Sequence, residues 1–203
     1  MKLYDGGRAV NPRRVRIFLA EKGISVPTEQ VDIATQQHRS ESFAAINPMR
    51  RLPVLVLDDG TALAESMAIC RYFEALQPDP PLFGRGALEI AQVEMWNRRA
   101  EFNLLGPVTT VFQHLHPFMK PLVDPQVPDW GEANKAKVAE FLQFLDRELQ
   151  DRAYIAGNDF TVADITALTA IDFMKVPKLP VPEALLNVRR WHKDVSARPS
   201  AAA

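Results

Sequence analysis

With 203 residues, 47% apolar and 24% charged, the chain has material for one large domain or two small ones and enough apolar surface for a sizeable core. Its 24 basic and 25 acidic side chains nearly cancel, which argues against a field of one sign able to hold a nucleic acid or an acidic membrane. Cys70 is the single cysteine, so neither an internal disulfide nor a thiol-rich metal site is expected, and a reducing cytoplasm fits best.

Up to about Leu76 the pattern alternates between strand and helix signals at short intervals. Lys2 to Tyr4 reads as a strand, followed by the turn residues Asp5-Gly6-Gly7. A helix follows, with Asn11 as N-cap, Pro12 in the first helical position and Gly23 as its stop. Val15, Phe18 and Leu19 form its apolar face, and Arg13, Arg14 and Arg16 are expected in solvent. Val26 to Ile33 reads as a second strand, joined to the first by a right-handed parallel crossover. After a short helix near Ser40 to Ala45, Pro53 to Leu57 reads as a buried strand. Asp58-Asp59-Gly60 then turns the chain so that Thr61 to Ala64 returns antiparallel. Ser66 is placed as the N-cap of a helix whose inner face carries Ile69, Cys70, Phe73 and Leu76.

The proline-rich run Gln77 to Pro81 cannot continue that helix. Residues 1–76 are therefore read as one domain, 77–86 as a linker and 87–203 as a second domain. In the second part no strand pattern persists. Amphipathic stretches run from Ala87 to His116, Gly131 to Gln150, Thr161 to Met174 and Ala184 to Ser196, which predicts an all-α bundle. No stretch approaches the roughly 20 apolar residues of a membrane span, and the opening lacks the apolar core of an export signal.

The chemistry concentrates in the first domain. A cis bond between Leu52 and Pro53 would turn the Leu52 backbone outward and leave its amide and carbonyl for an extended peptide, whereas a trans bond would remove that anchor. Glu65-Ser66 opens a helix whose first amides and positive end attract a carboxylate, with Ser66 adding a hydroxyl and Glu65 able to receive an ammonium. His38, Arg39 and Arg51 are candidate partners for a second carboxylate. These are the recognition elements of a small zwitterionic peptide.

Four segments in order carry a resemblance over nearly the whole chain: Asn11-Pro12-Arg13-Arg14-Val15-Arg16, Asn47-Pro48 followed by Leu52-Pro53-Val54-Leu55, Glu65-Ser66-Met67-Ala68-Ile69, and Phe160-Thr161-Val162-Ala163-Asp164. Together they resemble the glutathione S-transferase superfamily. The resemblance implies a thioredoxin-like α/β N-terminal domain with a mixed four-stranded sheet, an all-helical domain forming an electrophile pocket, and a homodimer. It implies that Pro53 is cis, that Leu52 binds the cysteine backbone of glutathione and that Glu65 and Ser66 hold the γ-glutamyl end. His38 and Arg51 become candidates for the glycyl carboxylate. Thr161 and Asp164 read as a structural capping box and staple.

A free thiol is only a few per cent ionised at neutral pH, so a transferase must stabilise the sulfur anion. Most members of the superfamily supply a Tyr, Ser or Cys before the first helix, and this chain has none between Asp5 and Asn11. Three readings remain open. Asn11 can donate its amide, an arrangement similar to the bacterial nu class. Tyr4 lies near the tyrosine of several animal classes. Thr109 and His114, with Gln113 between them, could hold a water that accepts the thiol proton, similar to a fungal group. Trp96, Arg98, Arg99 and Glu101 read as a core anchor with a salt-bridged face, and Cys70 as a buried small hydrophobe. The expected reaction joins glutathione thiolate to a small apolar electrophile in a pocket drawing on Phe112, Leu115, Phe118 and Met119. Glutathione-dependent reduction of disulfides or peroxides, and noncatalytic binding or assembly, are the alternatives. No metal is expected.

Overall fold

The computed structural model describes residues 1–203, which divide into two units: residues 1–82 with 199–203, and residues 83–198. The first unit holds β1 (Lys2–Asp5), α1 (Val10–Lys22), β2 (Thr28–Gln30), α2 (Glu41–Ile46), β3 (Val54–Val56), β4 (Ala62–Ala64) and α3 (Ser66–Leu76). Its sheet runs in the order β2-β1-β3-β4, with β1 and β2 parallel and the other two pairings antiparallel. This is the thioredoxin-like mixed sheet.

Alternation along the strands divides the core into two layers. Tyr4, Val54 and Val56 face Phe43 and Ile46 of α2. Their neighbours Leu3 and Leu55 are cross-strand partners, both buried, and project to the side where α1 packs against α3. Phe18, Ile69, Cys70 and Phe73 fill that side, whereas Leu76, expected inward, is largely exposed in the last turn of α3. Gly23 closes α1 in the left-handed conformation at φ 65°, where a side chain would be strained. The buried Lys22 ammonium then donates to the carbonyl of Gln77 at 2.8 Å and to that of Pro80, and pairs with Glu74, clamping the chain that leaves α3. Arg13 in turn donates to the Ala201 carbonyl, fastening the terminal 3-10 turn (Pro199–Ala202) to α1.

The second unit is all helical: α4 (Gly86–Ala100), a π-helical turn (Glu101–Leu105), α5 (Gly106–Leu115), α6 (Pro128–Glu148), α7 (Val162–Phe173) and α8 (Leu186–Ser196). The single helix expected from Ala87 to His116 is interrupted at the π turn. Pro107 lacks the amide that would continue the helix and its ring crowds the carbonyl four residues back, so Gly106 bonds instead to Glu101, five residues back. The stretch expected to be amphipathic is instead enclosed: residues 162–171 of α7 are buried on every side, and the polar Asp164, Thr166 and Thr169 among them bond internally. Trp96 is buried and stacks on Phe144, with the Arg99 guanidinium 4.7 Å from its ring centre, and so anchors the helical core as expected. No helix is long and apolar enough to cross a membrane.

Candidate functional site

The loop after β1 is fixed by a buried carboxylate. Asp5 is fully inaccessible and accepts from both the Gly7 amide at 2.8 Å and the Arg16 guanidinium at 2.7 Å. Arg16 therefore does not sit free in solvent as its sequence position suggested. Nor does Arg14, which is 2% exposed and donates to Asn11 Oδ1 at 2.8 Å. A β-carbon at Gly6 would lie 2.7 Å from Ile33 and 3.2 Å from Leu52, so the loop passes hard against the residue preceding Pro53.

The helix behind this loop starts earlier than expected. Its N-cap is Ala9, which has no side chain able to cap, and Asn11 and Pro12 are its second and third residues. Asn11 is thus not the cap. With Oδ1 engaged by Arg14, its amide nitrogen keeps two donors unpaired at the exposed, positive end of α1. Tyr4 packs edge-on against Phe43, with ring centres 6.2 Å apart, as part of the α2-side core.

Beside the loop, Leu52–Pro53 is cis, and neither the amide nor the carbonyl of Leu52 pairs with any protein group. Asn47 braces this turn by donating to the Arg51 carbonyl and accepting from the Met49 amide. At the far end of the hairpin, Glu65 has φ 68°, a left-handed conformation uncommon for a residue with a side chain. Ser66, expected as the cap, is instead the first residue of α3 and only 5% exposed, and no side chain caps that helix. Its hydroxyl and the Glu65 carboxylate make no bond within the protein.

His38 is 8% exposed, and its Nδ1 has no partner. Burial first, then the charges of Arg39 and Arg51, hold its imidazole below the usual 6.5, which favours the neutral ring. Arg51 is exposed and unpaired. The first unit thus brings together a free extended backbone, an uncapped helix end with a carboxylate and hydroxyl, and a cationic corner.

Comparison with known proteins decides the family. Residues 10–76 match the family described as glutathione S-transferase, N-terminal domain, and residues 113–199 match glutathione S-transferase, C-terminal domain. Glutathione S-transferase 2 of Saccharomyces cerevisiae is 39% identical over 203 residues, covering 98% of this chain and 87% of that protein. The crystal structure of Gtt2 from the same yeast superposes with a TM-score of 0.94 at 38% identity, covering 100% of this chain and 99% of that one. A class Gtt2 transferase of Vibrio parahaemolyticus gives 0.87 at 39% identity, with 98% and 95% covered. The chain is a glutathione S-transferase family member. Glutathione binding is the defining trait of this family, and membership supports transferase-type activity.

In this transferase-family chain the helical unit carries the other candidates. The Thr109 hydroxyl donates to the Gly106 carbonyl at 2.8 Å, leaving it only lone pairs to offer. His114 accepts the Val127 amide on Nδ1 at 3.1 Å, which puts the proton of the neutral ring on Nε2. Its free edge is therefore a donor, which can hold a water by hydrogen-bonding to the water oxygen. Phe112 meets His116, Phe118 and Phe173 in an aromatic cluster, and Leu115 lines a cavity of about 390 Å³ with Val111 and Val176. Met119 is half-buried. Cys70 is buried and its thiol is pushed up to about 12 by desolvation, as befits an inert core residue. The Asp5–Arg16 pair is a functional element that sequence pattern alone does not announce. An acid ending a strand with a turn behind it was the available signal, but its partner lies eleven residues on.

Proposed function

We propose that the protein binds glutathione along Leu52 and adds its thiolate to small apolar electrophiles. The observation that carries this reading is the unpaired Leu52 backbone, lying beside the loop that leads into α1. Glutathione's cysteine would pair with that backbone as an added strand, its γ-glutamyl end meeting Glu65, Ser66 and the open amides of α3. Its glycyl carboxylate would meet His38 and Arg51. The sulfur then faces the start of α1, where the helix end and the Asn11 amide stabilise negative charge. The thiol proton passes to solvent, the sulfur electron pair forms the bond to carbon, and any leaving group departs with its own pair. Apolar side chains of the helical unit, Leu115 and Phe112 among them, hold the acceptor.

Self-association is part of this reading. Leu88, Met95 and Phe102 recur at seven-residue intervals from α4 into the π turn and are all exposed, an apolar stripe suited to a second copy. Sedimentation equilibrium should give a dimer that Phe102→Glu weakens, and a parent monomer at micromolar concentration would refute it.

The decisive experiment is a pH–rate profile with a chloronitrobenzene acceptor for the parent, Asn11→Ala and His114→Ala. The rate should depend on a group titrating below the free thiol, and Asn11→Ala should move that titration upward and slow turnover about tenfold near neutrality. If neither substitution moves rate or profile, the thiolate assignment is wrong. Faster turnover of a glutathione-capped disulfide than of the aryl chloride would make the protein a reductase. Glutathione bound with an unshifted thiol, read by its ultraviolet absorbance, would make it a binding protein.

A further inference from the structure

Arg14 stands where a cation is least expected. It is the fifth residue of α1, close to the positive end of the helix, and only 2% exposed. The helix end opposes a positive charge there, and burial opposes it again. Its charge reaches Cys70 of α3, where it counters the desolvation that governs the buried thiol, so the guanidinium lies on the α3 side of α1. From there it donates to Asn11 Oδ1 at 2.8 Å, three residues back on the same helix. The other charged groups around this end of α1 are engaged elsewhere or face solvent. Asp5 holds Arg16, Arg13 donates to the Ala201 carbonyl and Glu74 pairs with Lys22, while Arg8 and Arg71 are exposed.

The carboxamide of Asn11 has two edges of nearly the same shape and opposite chemistry, an acceptor oxygen and a donor NH2 group. Left to itself, the oxygen would be drawn to the open amides of α1, because Ala9 has no side chain to cap them. Asn11 would then close the helix end and present a lone pair where a thiolate needs a donor. A guanidinium carries five donors and no acceptor, so it takes only the oxygen edge. Gripped by Arg14, Oδ1 is withheld from those amides, and the NH2 group is turned away from the guanidinium.

We propose that Arg14 is a positioning residue for thiolate formation: it locks Asn11 as a donor and keeps the start of α1 open to the glutathione sulfur. This role rests on the reading above that the sulfur faces α1. Arg14 acts through Asn11 and not on the sulfur itself.

The test titrates the thiol of bound glutathione, by the ultraviolet absorbance of its thiolate, in the parent, Asn11→Ala, Arg14→Gln, Arg14→Lys and the double variant Asn11→Ala, Arg14→Gln. Glutamine can offer Asn11 either a donor or an acceptor, so the orientation is lost. Arg14→Gln should raise the titration by about half a unit and lower kcat with a chloronitrobenzene acceptor roughly threefold near neutrality, with KM for glutathione within about twofold. Lysine has donors only, and Arg14→Lys should recover most of the loss. In the Asn11→Ala background, Arg14→Gln should move the titration no further. A shift that persists there, or an Arg14→Lys variant no better than Arg14→Gln, would mean that Arg14 acts by its field or through the fold, and the positioning role would be wrong. An Asn11→Ala titration identical to that of the parent would instead remove the thiolate reading itself, and the role of Arg14 with it. Circular dichroism will verify the fold of the Arg14 variants. The parent supplies a measurement that needs no change at a buried site. The side-chain amide signals of Asn11, identified in nitrogen–proton correlation spectra by their loss in Asn11→Ala, should shift on binding glutathione and stay in place with S-methylglutathione. No shift with glutathione, while Asn11→Ala still moves the titration, would show the oxygen edge facing the sulfur and overturn the role of Arg14.

Discussion

α3 and α7 begin with the same physical problem, a set of helix amides without partners, and the protein treats them in opposite ways. At α7 the solution is internal. Thr161 accepts the Ala163 amide, and Asp164 returns to the Thr161 amide at 3.0 Å. The same carboxylate also takes the Ile155 amide at 2.9 Å and the Trp191 indole at 2.8 Å. At α3 nothing closes the end. Glu65 is held at φ 68° with its carboxylate unengaged, and Ser66 opens the helix with its hydroxyl unpaired. A helix start completed by its own sequence is a building element, whereas one left incomplete beside a free strand edge is a place for a ligand.

Substitution should separate the two. Asp164→Ala strips the acceptor from four buried donors, the Thr161 and Ile155 amides, the Thr161 hydroxyl and the Trp191 indole, and should cost roughly 3–5 kcal/mol of stability in urea unfolding, while glutathione affinity per folded molecule stays within twofold. The parent adds a sign. Burial outweighs the donors and pushes the Asp164 carboxyl from 3.8 up to about 6. The folded state therefore holds more protons than the unfolded state between those values, and the Asp164 contribution to stability falls as pH rises through that window. Subtracting the Asp164→Ala profile isolates it, and a difference that rises or stays flat from pH 4 to 6 would show that the four donors prevail.

The converse test is at α3. Glu65→Gln and Ser66→Ala should each lower glutathione affinity by roughly tenfold or more in calorimetry, since each removes one charge-assisted contact. Both should leave the unfolding midpoint nearly unchanged, because neither side chain bonds within the protein. A large loss of stability with affinity retained would place Glu65 and Ser66 with Thr161 and Asp164 as scaffold.

This contrast also explains what could be read from sequence. The α7 box was legible because a capping box is local, with every partner within three residues and a hydrophobic helix behind it. The β3 strand, the hairpin at Asp58-Asp59-Gly60 and the buried positions Ile69, Cys70 and Phe73 were legible for the same reason, through period and turn chemistry. The caps at Asn11 and Ser66 were misplaced because a polar residue before an apolar run looks the same whether it caps a helix or enters it. The backbone angles of Ala9 and Glu65, set by tertiary packing, decide which. Asp5–Arg16 joins a strand to a helix and leaves no local trace. The π turn had a visible cause in Pro107, hidden by an otherwise continuous amphipathic pattern.

The smallest effect tests the cationic corner of the groove. His38 is nearly buried, with Nδ1 unpaired, and its neutral form is favoured by burial and by Arg39 and Arg51. A carboxylate arriving there reverses the balance, because a nearby anion favours imidazolium and raises the titration point toward or beyond its ordinary value. Binding near neutrality must then take up part of a proton, and affinity must rise as pH falls below 7. S-methylglutathione isolates this term, since it carries the glycyl carboxylate but no ionisable thiol. Calorimetry in two buffers of different ionisation heat should report uptake of a fraction of one proton, with affinity roughly doubling per unit drop in pH. His38→Gln should abolish the uptake and retain most of the affinity through Arg51. Equal heats in both buffers, or uptake that survives the substitution, would mean that the carboxylate binds elsewhere and that His38 belongs to the core of the loop rather than to the groove.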